Sequence, residues 1–207
     1  MLTLYGSEGA GSVAAEALLT HLGTPFELKL LDLEAKEEES AEFLAINPRG
    51  QIPVLVLEDE SILTESLAIM FHIADSNPSS GLIPEVGSAD RAQVYRWMSF
   101  LGTNVYEGFL RLFYADTYTT GSDTAGVEES ADQYLHSAFE IINKALDGKP
   151  NMVGDRVGIC DFYLAMLLTW YPDQAKLYEM YPNLQRTLEN VLALEGVRKV
   201  FAVNDLV

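Results

Sequence analysis

Two short segments in the first third of the chain carry residue types that can hold the backbone and the charged end of a small peptide. The first comprises Gln51, Ile52 and Pro53, at the start of an apolar run that ends at Leu57. Proline adds no amide hydrogen to a sheet, so it suits the first residue of a strand. If the Ile52–Pro53 bond is cis, the amide and carbonyl of Ile52 point outward, where they can hydrogen-bond an extended peptide. An ordinary trans proline at the strand start is the simpler alternative.

The second segment comprises Thr64, Glu65 and Ser66, which follow a predicted hairpin and open a predicted helix. Thr64 suits the N-cap, the residue that precedes the first helical turn. The amides and hydroxyl at positions 65 and 66 then form a carboxylate-binding site at the positive end of the helix. Glu65 can pair with an ammonium group beside that carboxylate, which together make the end of an α-amino acid. Simple capping with an acidic first turn is the alternative.

A small α/β domain is predicted to carry both segments. Short apolar runs and alternating patterns predict strands at 2–5, 26–31, 53–57 and 61–63. Helices are predicted at 12–22, 36–45 and 64–74, and Gly23 is the expected C-terminal stop of the first. The order of elements is therefore βαβα followed by ββα.

The chain divides after this domain. Residues 77–87 are rich in proline, glycine and serine, which predicts a linker. Beyond it strand patterns nearly vanish, and helical patterns fill 88–115, 127–147, 159–170 and 183–193, with a short one near 195–203. The predicted organisation is an α/β domain of residues 1–76, a linker of 77–87 and an all-helical domain of 88–207.

The composition is that of a globular protein, with 48% hydrophobic and 21% charged residues. The net charge of −18 makes binding to nucleic acid or to anionic lipid unfavourable, and an anionic ligand needs local cations or helix N-termini to offset the field. No apolar run is long enough for a membrane span, no secretory signal is found, and the single cysteine agrees with a reducing, cytoplasmic environment. No metal-ligand cluster, phosphate-binding loop or nucleophile elbow is found.

Together these segments resemble the cytosolic glutathione transferases. The stretch FLAINPRGQIPVL, residues 43–55, and the stretch ILTESLAI, residues 62–69, are similar to the bacterial beta class and its relatives. The resemblance covers the whole chain in its two-domain layout. It implies the glutathione transferase fold, which is an α/β thioredoxin-like N-terminal domain plus an all-α C-terminal domain.

The resemblance also implies how glutathione is held. Ile52, before a cis Pro53, binds the cysteinyl backbone, and the neighbouring Gln51 belongs to the same segment. Glu65 and Ser66 hold the γ-glutamyl end. A lysine of the beta class reaches the glycyl carboxylate from the position of Lys36, for which an ordinary solvated lysine is the alternative.

The chain departs from the beta class at the group that activates the thiol. Beta-class proteins usually carry Cys-Ser where this chain has Gly11 and Ser12, so a mixed disulfide at this position is excluded. A hydroxyl donor at a helix N-terminus can instead stabilise the thiolate against an ordinary thiol pKa of about 8.5. Ser12 is the first candidate donor, with helix N-capping as its alternative role. Ser7 and Tyr5 are further candidates.

Two residues of the helical domain are candidates for the same chemistry. Ser99 and Tyr106 align with beta-class positions that usually carry Asn and His facing the thiol. The resemblance therefore implies that both line the electrophile pocket and that the Tyr106 hydroxyl contacts the sulfur or the electrophile. The alternative is that Tyr106 belongs to a helix-packing stripe with Phe109 and Phe113.

A helix-starting motif lies at 154–161. Members of the family usually have Ser or Thr as the N-cap here and Asp three positions later, whereas this chain has Gly158 and Asp161. Asp161 can still accept a hydrogen bond from the Gly158 amide. This motif concerns folding, and Cys160 beside it is expected to be a buried filler.

The resemblance implies a cytoplasmic, homodimeric glutathione transferase with a role in detoxification. Glutathione is its cosubstrate, a small electrophile its second substrate, and no metal is required. A noncatalytic glutathione-binding or regulatory protein on the same fold is the alternative, because a scaffold alone does not establish catalysis. A glutathione-dependent reductase normally needs a site cysteine, and Cys160 is badly placed for that role.

Overall fold

A computed structural model of the chain describes every residue from Met1 to Val207. These residues form two compact units, Met1–Ile83 together with Val191–Val207, and Pro84–Asn190. The first unit combines a sheet with helices, and the second contains helices only. None of the helices combines the length and the apolar composition needed to span a lipid bilayer.

The chain forms four strands and ten α-helices. In chain order they are β1 Leu2–Gly6, α1 Val13–Leu22, β2 Phe26–Leu30, α2 Ala41–Ile46, β3 Val54–Val56, β4 Ile62–Leu63, α3 Ser66–Asp75, α4 Ala89–Phe100, α5 Glu107–Phe113, α6 Thr124–Ala145, α7 Ile159–Thr169, α8 Gln174–Met180, α9 Pro182–Leu192 and α10 Glu195–Val203. A π-helical segment, Leu101–Tyr106, joins α4 directly to α5.

The sheet of the first unit has the strand order β2-β1-β3-β4. Strand β1 pairs parallel with β2 and antiparallel with β3, and β3 pairs antiparallel with β4. Leu4, at the centre of β1, pairs with Leu28 and Leu55 and is fully buried. Helices α1 and α3 pack on one another beside this mixed sheet. The predicted thioredoxin-like domain is therefore confirmed.

The helix predicted at 36–45 is wrong in its first half. Lys36 has a left-handed backbone with φ 58°, and a short 3-10 turn, Glu37–Glu39, follows it. The α-helix begins only at Ala41, because extended Ser40 caps it by accepting a hydrogen bond from the Phe43 amide.

Helix α10 packs on α1 and so belongs to the first compact unit. Its residues Val197 and Phe201 are fully buried, and Gly196 lies close to the backbone of His21 at the end of α1. The predicted domain boundaries assign these residues to the helical domain. Those boundaries stay a prediction, because a short amphipathic helix does not reveal from its own sequence which core its apolar face will join.

The core of the second unit surrounds α7. Every residue from Ile159 to Thr169 is buried, which is the expected environment for a helix that is apolar on all sides. At its start, the two carboxylate oxygens of Asp161 accept hydrogen bonds from the amides of Gly158 and Met152, at 2.9 and 2.8 Å. The predicted bond to the Gly158 amide is confirmed. Cys160 is buried, also as predicted.

The helix predicted at 88–115 contains a change of helical pitch. The Thr103 hydroxyl donates to the Ser99 carbonyl at 2.8 Å, and the Asn104 side chain donates to the Phe100 carbonyl at 3.2 Å. These side chains compete for carbonyls that, in a regular α-helix, accept hydrogen bonds from the amides four residues later. The π-helical segment lies at this position, and hydrophobic periodicity cannot distinguish it from α-helix.

Candidate functional site

The loop that enters β3 is held by Asn47, which is buried at the end of α2. Its side-chain amide donates to the Gln51 carbonyl at 2.7 Å, and its side-chain oxygen accepts from the Arg49 amide at 3.2 Å. Gly50 has φ 59°, a left-handed conformation that glycine adopts at little cost. Asn47 was not among the predicted site residues, although an asparagine before proline is a known turn signal.

The predicted glutathione-binding residues of this loop differ in exposure. Gln51 is exposed, Ile52 is half-buried and Pro53 is buried. The Ile52–Pro53 peptide bond is cis. The loop therefore presents Gln51 and Ile52 at its surface while Pro53 leads into the buried strand β3.

Helix α3 begins one residue later than predicted. Ser66 is its first residue, and Glu65 occupies the N-cap position, so Thr64 is not the cap. Thr64 instead lies between β4 and the cap, joined to Glu65 by a cis peptide bond. Glu65 is exposed, Ser66 is half-buried, and the Ser66 amide lies in the first turn, where amides have no intrahelical acceptor.

Strand pairing brings these two segments together. Because β3 and β4 are antiparallel, the residues before Val54 and those after Leu63 lie at the same end of the hairpin. An ion pair joins the two segments there, with 3.1 Å between Arg49 Nη1 and Glu65 Oε1. The predicted partner of a ligand ammonium group therefore already has a cation beside it.

The loop after β1 lies at this same end of the sheet. Tyr5 pairs with Val54 in the antiparallel ladder, so the chain leaves β1 next to the residues that enter β3. Strand β2 ends there too, because Gly6 pairs with Leu30 in the parallel ladder. Lys36, six residues beyond Leu30, is exposed, and its ammonium group forms a 3.1 Å ion pair with Glu39.

Ser12 is almost fully buried, with 1% of its surface exposed. Its hydroxyl donates to the Ser7 carbonyl and accepts from the Ser7 amide, both at 3.2 Å. It occupies the N-cap position of α1 without capping the helix through its side chain. A hydroxyl has one hydrogen to donate, and here that hydrogen is already used within the loop.

The other candidate donors of this region differ from Ser12. Ser7 is half-buried, and its backbone rather than its hydroxyl makes the bonds to Ser12. The Tyr5 ring packs against Phe43, with 5.7 Å between centroids, and Lys29 lies over its face. The Tyr5 ring is therefore used in packing in this structure.

Ser99 and Tyr106 lie in the second unit. Ser99 is exposed on α4, whereas Tyr106 is half-buried at the end of the π-helical segment. The Tyr106 ring stacks on Tyr163 and meets Trp170 edge-on, with centroids 6.3 and 5.1 Å apart. Ser99 and Tyr106 are seven residues apart, which is two turns of a regular α-helix. The π-helical segment between them changes the number of residues per turn. Their spacing alone therefore does not place both on one face.

Comparison with known proteins identifies the family. Residues 1–75 match the family model described as the N-terminal domain of glutathione S-transferases. The chain is 34% identical over 170 residues to glutathione S-transferase GstA of Escherichia coli O157:H7, which is 82% of this chain and 82% of that protein. The chain belongs to the glutathione transferase family.

Solved structures of glutathione transferases agree with this family and fold. A beta-class glutathione S-transferase of Sphingomonas chungbukensis is 30% identical with a TM-score of 0.84, over 99% of this chain and 100% of that one. A sphingomonad glutathione S-transferase in complex with glutathione is 31% identical, also with a TM-score of 0.84 and the same coverage. Within the glutathione transferase family, this chain is a member whose loop after β1 contains no cysteine.

Proposed function

We propose that this protein is a glutathione transferase that conjugates the glutathione thiolate to a small electrophile. The observation that carries the proposal is the convergence of three segments at one end of the sheet, namely the loop 7–12, the loop 47–53 and the start of α3. The bound glutathione in the sphingomonad relative supports glutathione as the ligand. Glutathione serves as a cosubstrate, and the proposed chemistry needs no metal.

The γ-glutamyl end of glutathione binds at the start of α3 in this proposal. Glu65 pairs with the ammonium group, and the amide and hydroxyl of Ser66 bind the adjacent carboxylate at the positive helix end. Arg49, beside Glu65, supplies a cation for that carboxylate. A nearby cation and the positive helix end matter because the chain as a whole has a net charge of −18.

The remainder of the tripeptide runs along the loop 51–53. The backbone of Ile52 hydrogen-bonds the cysteinyl residue, with Gln51 and Pro53 on either side of it. Lys36 reaches the glycyl carboxylate after exchanging its exposed partner Glu39, which costs little because surface ion pairs contribute only about 0–1 kcal/mol. Holding both ends of the ligand fixes the position of the sulfur between them.

The sulfur lies at the start of α1 in this proposal. The backbone bonds of the loop run from Ala10 to Ser7 and from Val13 to Ala10, and neither uses the amides of Gly11 and Ser12. These amides and the helix dipole stabilise a thiolate. The Ser12 hydroxyl is the donor predicted from the sequence, but it can donate to the sulfur only if it releases the Ser7 carbonyl. The Ser7 hydroxyl is therefore the alternative donor.

The electrophile is proposed to bind at the second unit, where Ser99 and Tyr106 are its candidate contacts and the Tyr106 hydroxyl acts on it. The half-buried Tyr106 ring packs on the buried Tyr163 and on the half-buried Trp170, so its surroundings are apolar, which suits such a substrate. A homodimer, a cytoplasmic location and a detoxifying role belong to the same proposal, supported by the family.

Titration of the bound thiol tests the proposal. Thiolate absorbance of glutathione bound to the full-length protein is measured between pH 5 and 9, and turnover with an aromatic halide is followed in parallel. We expect the thiol pKa to fall by about one unit or more from its free value of about 8.5. Binding with an unshifted thiol pKa and no turnover would favour the noncatalytic alternative. Failure to bind glutathione would contradict both.

A further inference from the structure

Asn204, just beyond α10, connects three parts of the first unit through its side chain. Its oxygen accepts a hydrogen bond from the Gly9 amide at 3.0 Å. Its side-chain nitrogen donates to the Glu16 carboxylate at 3.3 Å and to the Val200 carbonyl at 2.9 Å. Both amide hydrogens and the carbonyl oxygen are thus used, and the residue is 7% exposed.

Two of these contacts lie on either side of the segment proposed to hold the sulfur. Gly9 lies in the loop between β1 and α1, and Glu16 lies in the first turn of α1. A Cβ atom added at Gly9 would lie 3.8 Å from the backbone carbonyl oxygen of Asn204 and 3.8 Å from the Leu206 side chain. The segment after α10 therefore lies directly against this loop.

The Gly9 amide is bonded to a residue outside its own loop. Ser12 and Ala10 both bond to Ser7, which closes the turn, whereas the Gly9 amide donates out of the loop to Asn204. Gly9 has φ 65°, a left-handed conformation that glycine adopts at little cost. The bond to Asn204 adds a restraint on this loop from a distant part of the sequence.

We propose that Asn204 is a positioning residue, which fixes the loop 7–12 and the first turns of α1 in the geometry that stabilises the glutathione thiolate. This inference rests on the proposed function. Asn204 does not touch glutathione in this proposal and acts through the Gly9 amide and Glu16. A displacement of the amides at Gly11 and Ser12 by a fraction of an ångström weakens their hydrogen bonds to the sulfur.

The second contact of Asn204 is with the buried carboxyl group of Glu16, which needs a hydrogen-bond donor. Its carboxyl is 6% exposed, and burial raises its pKa, while the hydrogen bond from Asn204 opposes that shift. A buried carboxyl that loses its hydrogen-bond donor is left poorly solvated. We therefore expect substitutions at Glu16 and Asn204 to have strongly coupled effects on stability. This coupling permits an exchange of donor and acceptor between the two positions.

Four variants test the role of Asn204. Asn204→Ala removes all three bonds, and Asn204→Asp keeps the acceptor for Gly9 but places a second carboxyl against Glu16. The double variant Glu16→Gln/Asn204→Asp restores a hydrogen bond with donor and acceptor exchanged and with the original net charge. Val200→Ala is the matched control, because it weakens the buried face of the same helix while the Asn204 side chain remains.

Two readouts separate positioning from general destabilisation. Amide hydrogen exchange of residues 7–12 is measured without ligand, and the thiol pKa of bound glutathione is measured for each variant. We expect Asn204→Ala to speed exchange in this loop, to move the thiol pKa back towards about 8.5 and to lower kcat/KM about tenfold. The double variant should recover most of each effect relative to Asn204→Asp, and Val200→Ala should show none of them at an equal loss of thermal stability.

Each alternative outcome has a distinct meaning. If the wild-type protein binds no glutathione, the proposed function is wrong and the positioning role falls with it. If the wild-type protein lowers the thiol pKa and Asn204→Ala does so equally, only the inference about Asn204 is overturned. The same holds if Val200→Ala reproduces the effects of Asn204→Ala, or if the donor–acceptor exchange recovers nothing.

Discussion

At the scale of single residues, the main question is which group donates a hydrogen bond to the sulfur. Ser12 has the right position in the sequence, but its hydroxyl hydrogen goes to the Ser7 carbonyl and its surroundings exclude solvent. The Ser12 hydroxyl therefore holds the loop through its bonds to the Ser7 backbone, and in the proposal it also donates to the sulfur. Ser7 has a more exposed side chain in the same loop.

Two alanine variants are expected to separate these roles. Ser12→Ala leaves the amide and carbonyl of Ser7 without their partner, so we expect the free energy of unfolding to fall by about 1–3 kcal/mol. Turnover should fall with it, while the affinity for glutathione stays nearly intact. Ser7→Ala should leave stability unchanged and lower turnover if its hydroxyl is the donor. Urea unfolding and steady-state kinetics provide the measurements, and unchanged turnover in Ser12→Ala would remove that serine from the catalytic proposal.

Glu65→Gln tests the residue proposed to bind the ammonium group of glutathione. We expect KM for glutathione to rise about tenfold with little change in kcat, because this contact is equal in the ground and transition states. Steady-state kinetics with an analogue that lacks the α-amino group should show no such difference between the proteins. Glu58→Gln, at the exposed hairpin turn, carries the same charge change and is the control. An equal effect in that control would contradict a specific role for Glu65.

At the scale of elements, the start of α7 shows how a sequence motif becomes a structural contact. Asp161 accepts hydrogen bonds from two amides, and burial nevertheless raises its pKa to about 6. An acid whose pKa is higher in the folded state binds more protons when folded. Its contribution to stability therefore decreases as the pH rises from about 4, near its unfolded pKa, to about 6.

Asp161→Asn is expected to destabilise the protein by about 1–3 kcal/mol, because an asparagine side chain offers one acceptor oxygen to two amides. The difference in unfolding free energy between wild type and variant should narrow as the pH rises from about 4 to about 6. Urea titrations at several pH values measure this difference. Asp155→Asn, in the preceding loop, removes an exposed carboxylate as the control. A difference independent of pH would show that the carboxyl does not titrate in this range.

At the scale of the whole molecule, the chain has 31 acidic residues and only 13 basic ones. Most of these charges are exposed, so the folded chain repels itself, and this repulsion is weakened by dissolved ions. The few cations are partly used in exposed pairs with neighbouring glutamates, as at Lys36, Lys144 and Lys199. These exposed ion pairs stabilise the folded chain by less than the repulsion among the remaining negative charges destabilises it.

Salt is therefore expected to stabilise this protein. We expect the midpoint of thermal unfolding at pH 7.5 to rise by several degrees between about 0.01 M and about 1 M sodium chloride, as the Debye length falls from roughly 30 to roughly 3 Å. The rise should shrink at pH 5, closer to the isoelectric point of about 4.3, where the net charge is smaller. Calorimetric scans measure the midpoint, and an equal rise at both pH values would point to a general salt effect instead of screening.

From the sequence alone we could predict the thioredoxin-like fold of the N-terminal residues and the two segments proposed to bind glutathione. Both follow from local information, since strands, turns and helix starts depend on residues within a few positions of one another. The segments 51–53 and 64–66 meet because a short hairpin joins them, and hairpin geometry can be inferred from the sequence.

The contacts that hold the loop after β1 could not be predicted from the sequence and are visible only in the folded chain. The bond from Gly9 to Asn204 joins residues 195 positions apart, and the Ser12 hydroxyl turns back to Ser7 although its position suggests a helix cap. The packing of α10 on α1 likewise depends on which of two cores receives a short apolar face. Such contacts depend on the summed packing of distant elements, which no local pattern in the sequence records.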